Sequence, residues 1–263
     1  MNPLRKFCGI PLPLPLVIVA ALAWTYSHFF ARPTEFIWQV KREAAKDPYL
    51  AKVPIPISDT TISDAPGTTV TSFGYEFEVP WLAEVKVSED LRAVALSRSG
   101  EKVVGFMNPT RLRGPLNDLR QRAIEGGKDP RIVEYSFDAQ SDYDLERSTL
   151  YATPDQLSLI FPGRKKALAA LRLNFKQLQE KQAETGLYSF KTGQLGGFQF
   201  GDPRRAKSVQ VEAFDDQDRK LEFVFSSKSP TNLMITQADI NRVLQTFHPA
   251  PATPQEHLDR PKF

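Results

Sequence analysis

The chain has 263 residues, 41 % of them hydrophobic and 25 % charged, enough to bury one good core. Its 34 basic and 31 acidic residues leave a net charge of +3, too small and too evenly spread to point to nucleic acid. One cysteine excludes an internal disulfide, and the three histidines sit at 28, 248 and 257, outside the body of the chain. A Ser-His-Asp triad, a cysteine nucleophile and a His/Cys zinc site are therefore not expected.

Arg5 and Lys6 precede a stretch without charge from 8 to 31. A basic tip before an apolar run stays in the cytoplasm, and the chain beyond the run crosses the membrane. Pro15 fits the first position of a helix, and Pro33 turns Arg32 away from helical geometry. A helix between them would be roughly 27 Å long, just enough for the hydrocarbon core. Trp24, Tyr26, Phe29 and Phe30 suit its outer interface. Residues 1–32 thus read as a cytoplasmic tip and an uncleaved transmembrane anchor, with membrane lipid as partner and the rest of the chain extracytoplasmic. The competing reading is a cleaved signal, because 12–24 has the length of a signal-peptide core and Ala21-Leu22-Ala23 resembles a cleavage site. Cys8 reads as a small apolar residue at the membrane edge, with lipidation as the sharper alternative.

Residues 33–72 read as a juxtamembrane segment and linker. Thr34 is a candidate N-cap, and Phe36, Ile37, Val40 and Ala44 share one helical face. From 47 to 72 the Pro, Ser, Thr and Asp content with weak periodicity predicts an extended linker.

A single α+β domain is expected over 73–248, with an antiparallel sheet packed by helices. FGYEFEVPW alternates Phe73, Tyr75, Phe77 and Val79 inward with Glu76 and Glu78 outward. Two strands then meet at a turn containing Gly100. A helix is predicted over 114–127, closed by Gly126 and Gly127, and a strand over 131–137. Helices follow from 142, including one capped by Thr153 with Pro154 at its first position, and a long one over 164–184. GLYSFKTG and GFQFGD read as strands. In SVQVEAFDDQDRKLEFVFSSK, Val209, Val211 and Ala213 alternate on one arm of a hairpin and Leu221, Phe223 and Phe225 on the other. The last helix opens with a Thr236/Asp239 capping box and buries Ile240, Val243, Leu244 and Phe247, and Pro249 stops it. Residues 249–263 read as a disordered Pro-rich tail.

The opening FGYEFEVPW, the hairpin and the closing helix resemble the PsbP-like fold, an α+β sandwich. The resemblance implies a non-catalytic accessory or binding role. The helical insertion over 142–184 and the linker depart from that pattern, and no functional residue is carried over.

Chemistry has few places to reside. Asp215, Asp216 and Asp218 crowd one turn but lack the spacing of a calcium loop, so a solvated turn is expected. Glu76 and Glu78 read as the wet face of a strand. GKDPR at Gly127 lacks the pattern of a phosphate loop, and Gly196, Gly197 and Gly201 read as bulge or tight-turn glycines. His248 reads as a cation at a helix C-terminus. On the long helix Leu168, Leu171, Phe175 and Leu178 form the apolar stripe, with Lys165, Arg172 and Lys176 on the neighbouring face. Arg204, Arg205 and Lys207 form a second basic group, and Arg111, Arg113, Arg120 and Arg122 a third. If these converge they make a site for an anionic lipid, an envelope polymer or an acidic envelope protein; ordinary solvated faces are the bland alternative. No catalytic residue, metal site or cofactor is expected. The sequence thus points to a membrane-anchored, non-enzymatic binding or scaffolding protein. A carboxylate-based envelope hydrolase and a lipid- or ligand-carrying domain stand as alternatives.

Overall fold

The computed structural model describes residues 32–88, 92–97, 100–112, 139–157, 164–177, 186–227 and 235–251, without the side chains of 32–34, 36, 164, 165 and 167. The anchor, Cys8, His28, the helix expected over 114–127, the strand over 131–137 and the tail from 252 lie outside the described residues. Among those described, no helix is long and apolar enough to cross a membrane. The fold is mixed α+β, and the chain divides into two compact units where one domain was expected: residues 1–51 with 152–178, and 52–151 with 179–263.

The first unit contains α1 (Arg32–Ala44), a 3-10 turn (Pro154–Gln156) and α3 (Arg164–Gln177). Ile37 and Ala44 of α1 are buried, and α1 packs on α3. The apolar face expected to lie beside a membrane is thus used inside the protein. The face α3 buries carries Leu168, Ala169, Ala170, Leu173 and Lys176. That face is rotated about the helix axis from the expected stripe, since Leu171 and Phe175 are only half-buried. Thr153 makes no side-chain cap, and only a single 3-10 turn follows it before 158.

The second unit is built on an eight-stranded sheet. Its strands, in chain order, are β1 (Ile55–Pro56), β4 (Ala83–Ser88), β5 (Arg92–Ser97), β6 (Lys102–Met107), β7 (Leu187–Thr192), β8 (Leu195–Phe200), β9 (Ser208–Phe214) and β10 (Lys220–Ser227), and they lie side by side as β1-β7-β8-β9-β10-β6-β5-β4. The sheet is antiparallel, as expected, except at the edge, where β1 pairs parallel with β7. A smaller sheet is ordered β11-β3-β2, with β2 (Thr68–Ser72), β3 (Tyr75–Val79) and β11 (His248–Pro249). Among the described residues the unit has two α-helices, α2 (Asp142–Leu150) and α4 (Gln237–Thr246).

Alternation decides what each face holds. Val209, Val211, Ala213, Leu221, Phe223 and Phe225 are all 0 % exposed and join Val104 and Phe106 in one core with Phe77 of β3, Ile240 and Val243 of α4, and Phe247 just past its end. Phe106 sits at the centre, with ring centroids 4.8 Å from Phe223, 5.6 Å from Phe77 and 5.6 Å from Phe247. Burying each such ring is worth about 1.5–3 kcal/mol. The opposite face is covered by α2, where Tyr143 stacks on Phe198 at 5.8 Å and meets Phe214 edge-on. Strand β8 therefore buries side chains on both faces, including Gln199 on the core side, whose amide donates to Gln237 Oε1 at 2.9 Å.

The expected linker is structured. Its last residues form β2, and Phe73 is not an inward strand residue: with Gly74 it makes the two-residue turn to β3, at φ 54 and 81. Positive φ at both positions matches the right-handed twist of a hairpin. Residues 59–65 are held by α4. Asn241 donates to the carbonyls of Asp59 and Thr61 at 2.8 and 2.9 Å, and Arg242 donates to those of Ser63 and Ala65 and to Glu78. The local sequence carries no sign of this, because the partners are some 180 residues downstream. The capping box of Thr236 and Asp239 forms as expected. His248 directly follows the end of α4 and lies in β11, with Nε2 3.7 Å from Glu76 Oε1.

A candidate ligand site at the β9–β10 turn

A cavity of about 660 Å³ opens in the sheet unit where four turns meet. The β2–β3 turn supplies Gly74 and the neighbouring Tyr75, the 3-10 turn after β6 supplies Thr110, the start of α2 supplies Asp142, and the β9–β10 turn supplies Asp218, Arg219 and Lys220. Three of them are fixed by a polar side chain of their own. Asn108 Oδ1 accepts from Thr110 N at 3.1 Å and Thr110 Oγ1 at 2.9 Å. Asp215 Oδ1 accepts from the amides of Gln217 and Arg219, both at 2.9 Å, and its Oδ2 accepts from Arg219 Nε at 2.6 Å. Ser141 caps α2 through Asp144 N.

Asp218 joins two of these turns. Its φ is 60, a left-handed conformation that aspartate tolerates better than most residues. Its carboxylate accepts from Asp142 N at 2.6 Å and Tyr143 N at 3.0 Å, the first two amides of α2. Asp215 and Asp218 thus serve as hydrogen-bond acceptors for backbone amides and for Arg219. Among the described residues no group of three His, Cys, Asp or Glu is placed to hold a metal ion.

Arg219 is the exposed cation of the site. Its guanidinium carbon lies 5.4 Å from the centre of the Tyr75 ring, whose neighbour on the core side is Phe247, stacked at 4.8 Å. The hydrogen bond to Asp215 holds the Arg219 pKa above its ordinary value against partial burial. Burial, opposed by Arg219 and assisted by Asp215, pushes the Tyr75 phenol up.

Beside the cavity, on the α2 face of the sheet, Glu212 and Glu222 stand directly opposite each other on β9 and β10. Like charges so placed are unfavourable. The Gln210 amide bridges them, at 3.2 Å to Glu212 and 3.1 Å to Glu222, and Lys220 Nζ is 2.7 Å from Glu212. Burial, then Glu212, raises the Glu222 pKa. Burial works against the Lys220 ammonium too, but Glu212, Glu146 and Glu222 outweigh it and its pKa is raised.

The basic residues singled out from the sequence are only partly where the pattern put them. Lys176 is 0 % exposed, donating to Leu50 O at 3.1 Å and Ala152 O at 2.8 Å, and cannot present charge to a surface ligand. Arg172 is half-buried, with a buried Nε, and the Lys165 side chain lies outside the described residues. The helix was read as having its apolar stripe on the 168/171/175 side, which left Lys176 for solvent; packing chose the 169/173/176 side. Arg204, Arg205 and Lys207 are exposed together on the β8–β9 loop, but Arg204 is paired with Asp202 through Nε at 3.2 Å and Nη2 at 3.3 Å. Arg111 is exposed; Arg113, Arg120 and Arg122 lie outside the described residues. Tyr75, Arg219 and Lys220 were read only as strand or hairpin residues. The sequence feature nearest to them is the acid-rich DDQD turn, expected to be a solvated turn.

Comparison with protein-family models, with curated proteins and with solved structures gave no match.

Proposed function

We propose that this chain is a membrane-tethered, extracytoplasmic binding module rather than an enzyme, and that the cavity at the β9–β10 turn is its ligand site. The observation that carries the reading is the commitment of the cavity's charged groups. Asp218 is bound to two backbone amides and Arg219 to Asp215, so the walls are preorganised without a free base. Preorganised polar groups around a concave site favour recognition. The tether rests on the charge pattern of residues 1–32, and the PsbP-like likeness of the β3, hairpin and α4 text is a further proposal in the same direction. Lipid carriage has no support in the aromatic packing around Phe106.

The test has two arms. Intact mass of the C-terminally tagged protein in membrane and soluble fractions should give the full-length mass in the membrane pellet. A soluble product beginning near Trp24 would remove the tether. In the second arm, chromogenic glycosides and esters should not be turned over.

A second reading, a carboxylate hydrolase, is favoured by one observation: Glu212 and Glu222 face each other, with the Glu222 pKa raised by burial and by Glu212, as an acid–base pair requires. Turnover lost in Glu222→Gln would support it against the binding module.

A further inference from the structure

We infer that the cavity takes a small hydroxylated carboxylate, the class of sugar acids and hydroxy acids, with its carboxylate on the Arg219 guanidinium and the Tyr75 phenol. This rests on the binding-module reading and deepens it.

Arg219 is aimed before any ligand arrives. Asp215 fixes its Nε, and its guanidinium carbon lies over the Tyr75 ring, 5.4 Å from the centroid. Its two terminal amino groups have no acceptor among the described residues, and a guanidinium edge with two parallel donors matches a carboxylate. Tyr75 lines the same cavity, and its hydroxyl is a donor for the same carboxylate. The same carboxylate would satisfy both.

The remaining wall decides what surrounds the acid group. The charged lining residues are two acids, Asp142 and Asp218, and two bases, Arg219 and Lys220. A balanced wall disfavours a polyanion such as a phosphorylated ligand. Gln140, Gln217 and Thr110 add neutral donors and acceptors, which suit hydroxyl groups. The volume of about 660 Å³ is in the range of small-molecule sites.

The test uses the full-length chain in detergent micelles, with galacturonate and digalacturonate as probes. Galactose and cyclohexanecarboxylate are the controls lacking the acid and the hydroxyls. Affinity is read by ligand-observed NMR and the location by amide exchange of residues 215–220. The uronates should bind and protect those amides, and both controls should bind at least about tenfold more weakly, the scale of one charge-assisted contact. Arg219→Gln should weaken uronate binding about tenfold or more. Because that change can loosen the turn, Tyr75→Phe serves as the second variant: it removes one oxygen and should weaken binding about threefold with an unchanged melting temperature. Equal binding of galactose, unchanged affinity in both variants, or no uronate binding at tens of millimolar overturns the inference. Galactose binding with protection of 215–220 would overturn it while leaving the binding-module reading standing. Turnover of chromogenic substrates, lost in Glu222→Gln, would instead bring down the parent reading.

Discussion

Replacing Lys176 with Met tests how the smaller unit is held. The ammonium is fully buried, donates to the carbonyls of Leu50 and Ala152, and lies 5.8 Å from the Tyr49 ring centre. Burial pulls its pKa down from 10.5 to about 8, against the opposing charge of Asp47. A shift of that size disfavours the charged form by about 3 kcal/mol. In the unfolded chain the lysine regains its ordinary pKa. Below pH 8 both states are protonated and the whole penalty stands. Between about 8 and 10.5 the unfolded chain binds the extra proton, so stability rises with pH. From pH 7 to pH 9 the gain is about 1.3 kcal/mol, close to tenfold in local opening. Methionine removes the penalty and the pH dependence together. It also leaves two carbonyls without a donor, at about 1–3 kcal/mol each. These changes largely offset at pH 7, where the variant should lie within about 2 kcal/mol of the wild type. It should then fall behind by about 1.3 kcal/mol at pH 9. Amide exchange of α3 peptides in both proteins, corrected for base catalysis and measured at pH 7, 8 and 9, reads this difference. A difference that stays constant with pH, or shrinks, would falsify the assignment of Lys176 as a buried, destabilised ammonium.

Other perturbations probe the sheet unit. Arg242→Ala removes the donors to Ser63 O and Ala65 O and the partner of Glu78; it should cost about 3 kcal/mol and open residues 59–66 to limited proteolysis. Gly197→Ala places a Cβ 2.1 Å from Glu212 O, a backbone atom that cannot move without breaking the β8–β9 pairing. It should cost more than about 2 kcal/mol by thermal melting. Gly193→Ala meets nothing within 4 Å and should cost only about 1 kcal/mol, from its φ of 52. If the two alanine variants melt alike, close approach is not what selects glycine at 197. Asp218→Ala strips both amides at the start of α2 of their acceptor and should lower stability by about 1–2 kcal/mol in urea unfolding. An unchanged midpoint would show that water replaces the carboxylate there.

Much of the sheet unit was legible in the sequence because its information is local. The β9–β10 hairpin alternates apolar and polar residues on both arms, so period two alone assigns strand, face and register. The capping box and the 240/243/244 spacing do the same for α4. What the sequence could not decide were segments whose stabilising partners are remote. Residues 55–65 look like a linker because their own side chains bury little; the β7 edge and the side chains of Asn241 and Arg242 hold them. The burial of Lys176 was hidden for a related reason. A helix rich in alanine and leucine offers two adjacent apolar stripes, and the carbonyls of Leu50 and Ala152, distant in the chain, selected the one that contains the lysine. The candidate site is the extreme case. Its residues come from four turns separated by up to 150 positions, each ordinary in its own stretch. Only the closing of the two sheets over one aromatic core sets Arg219 on Tyr75 and Asp218 at the start of α2. Local pattern is read from neighbours in the chain, whereas a cavity is defined by neighbours in space.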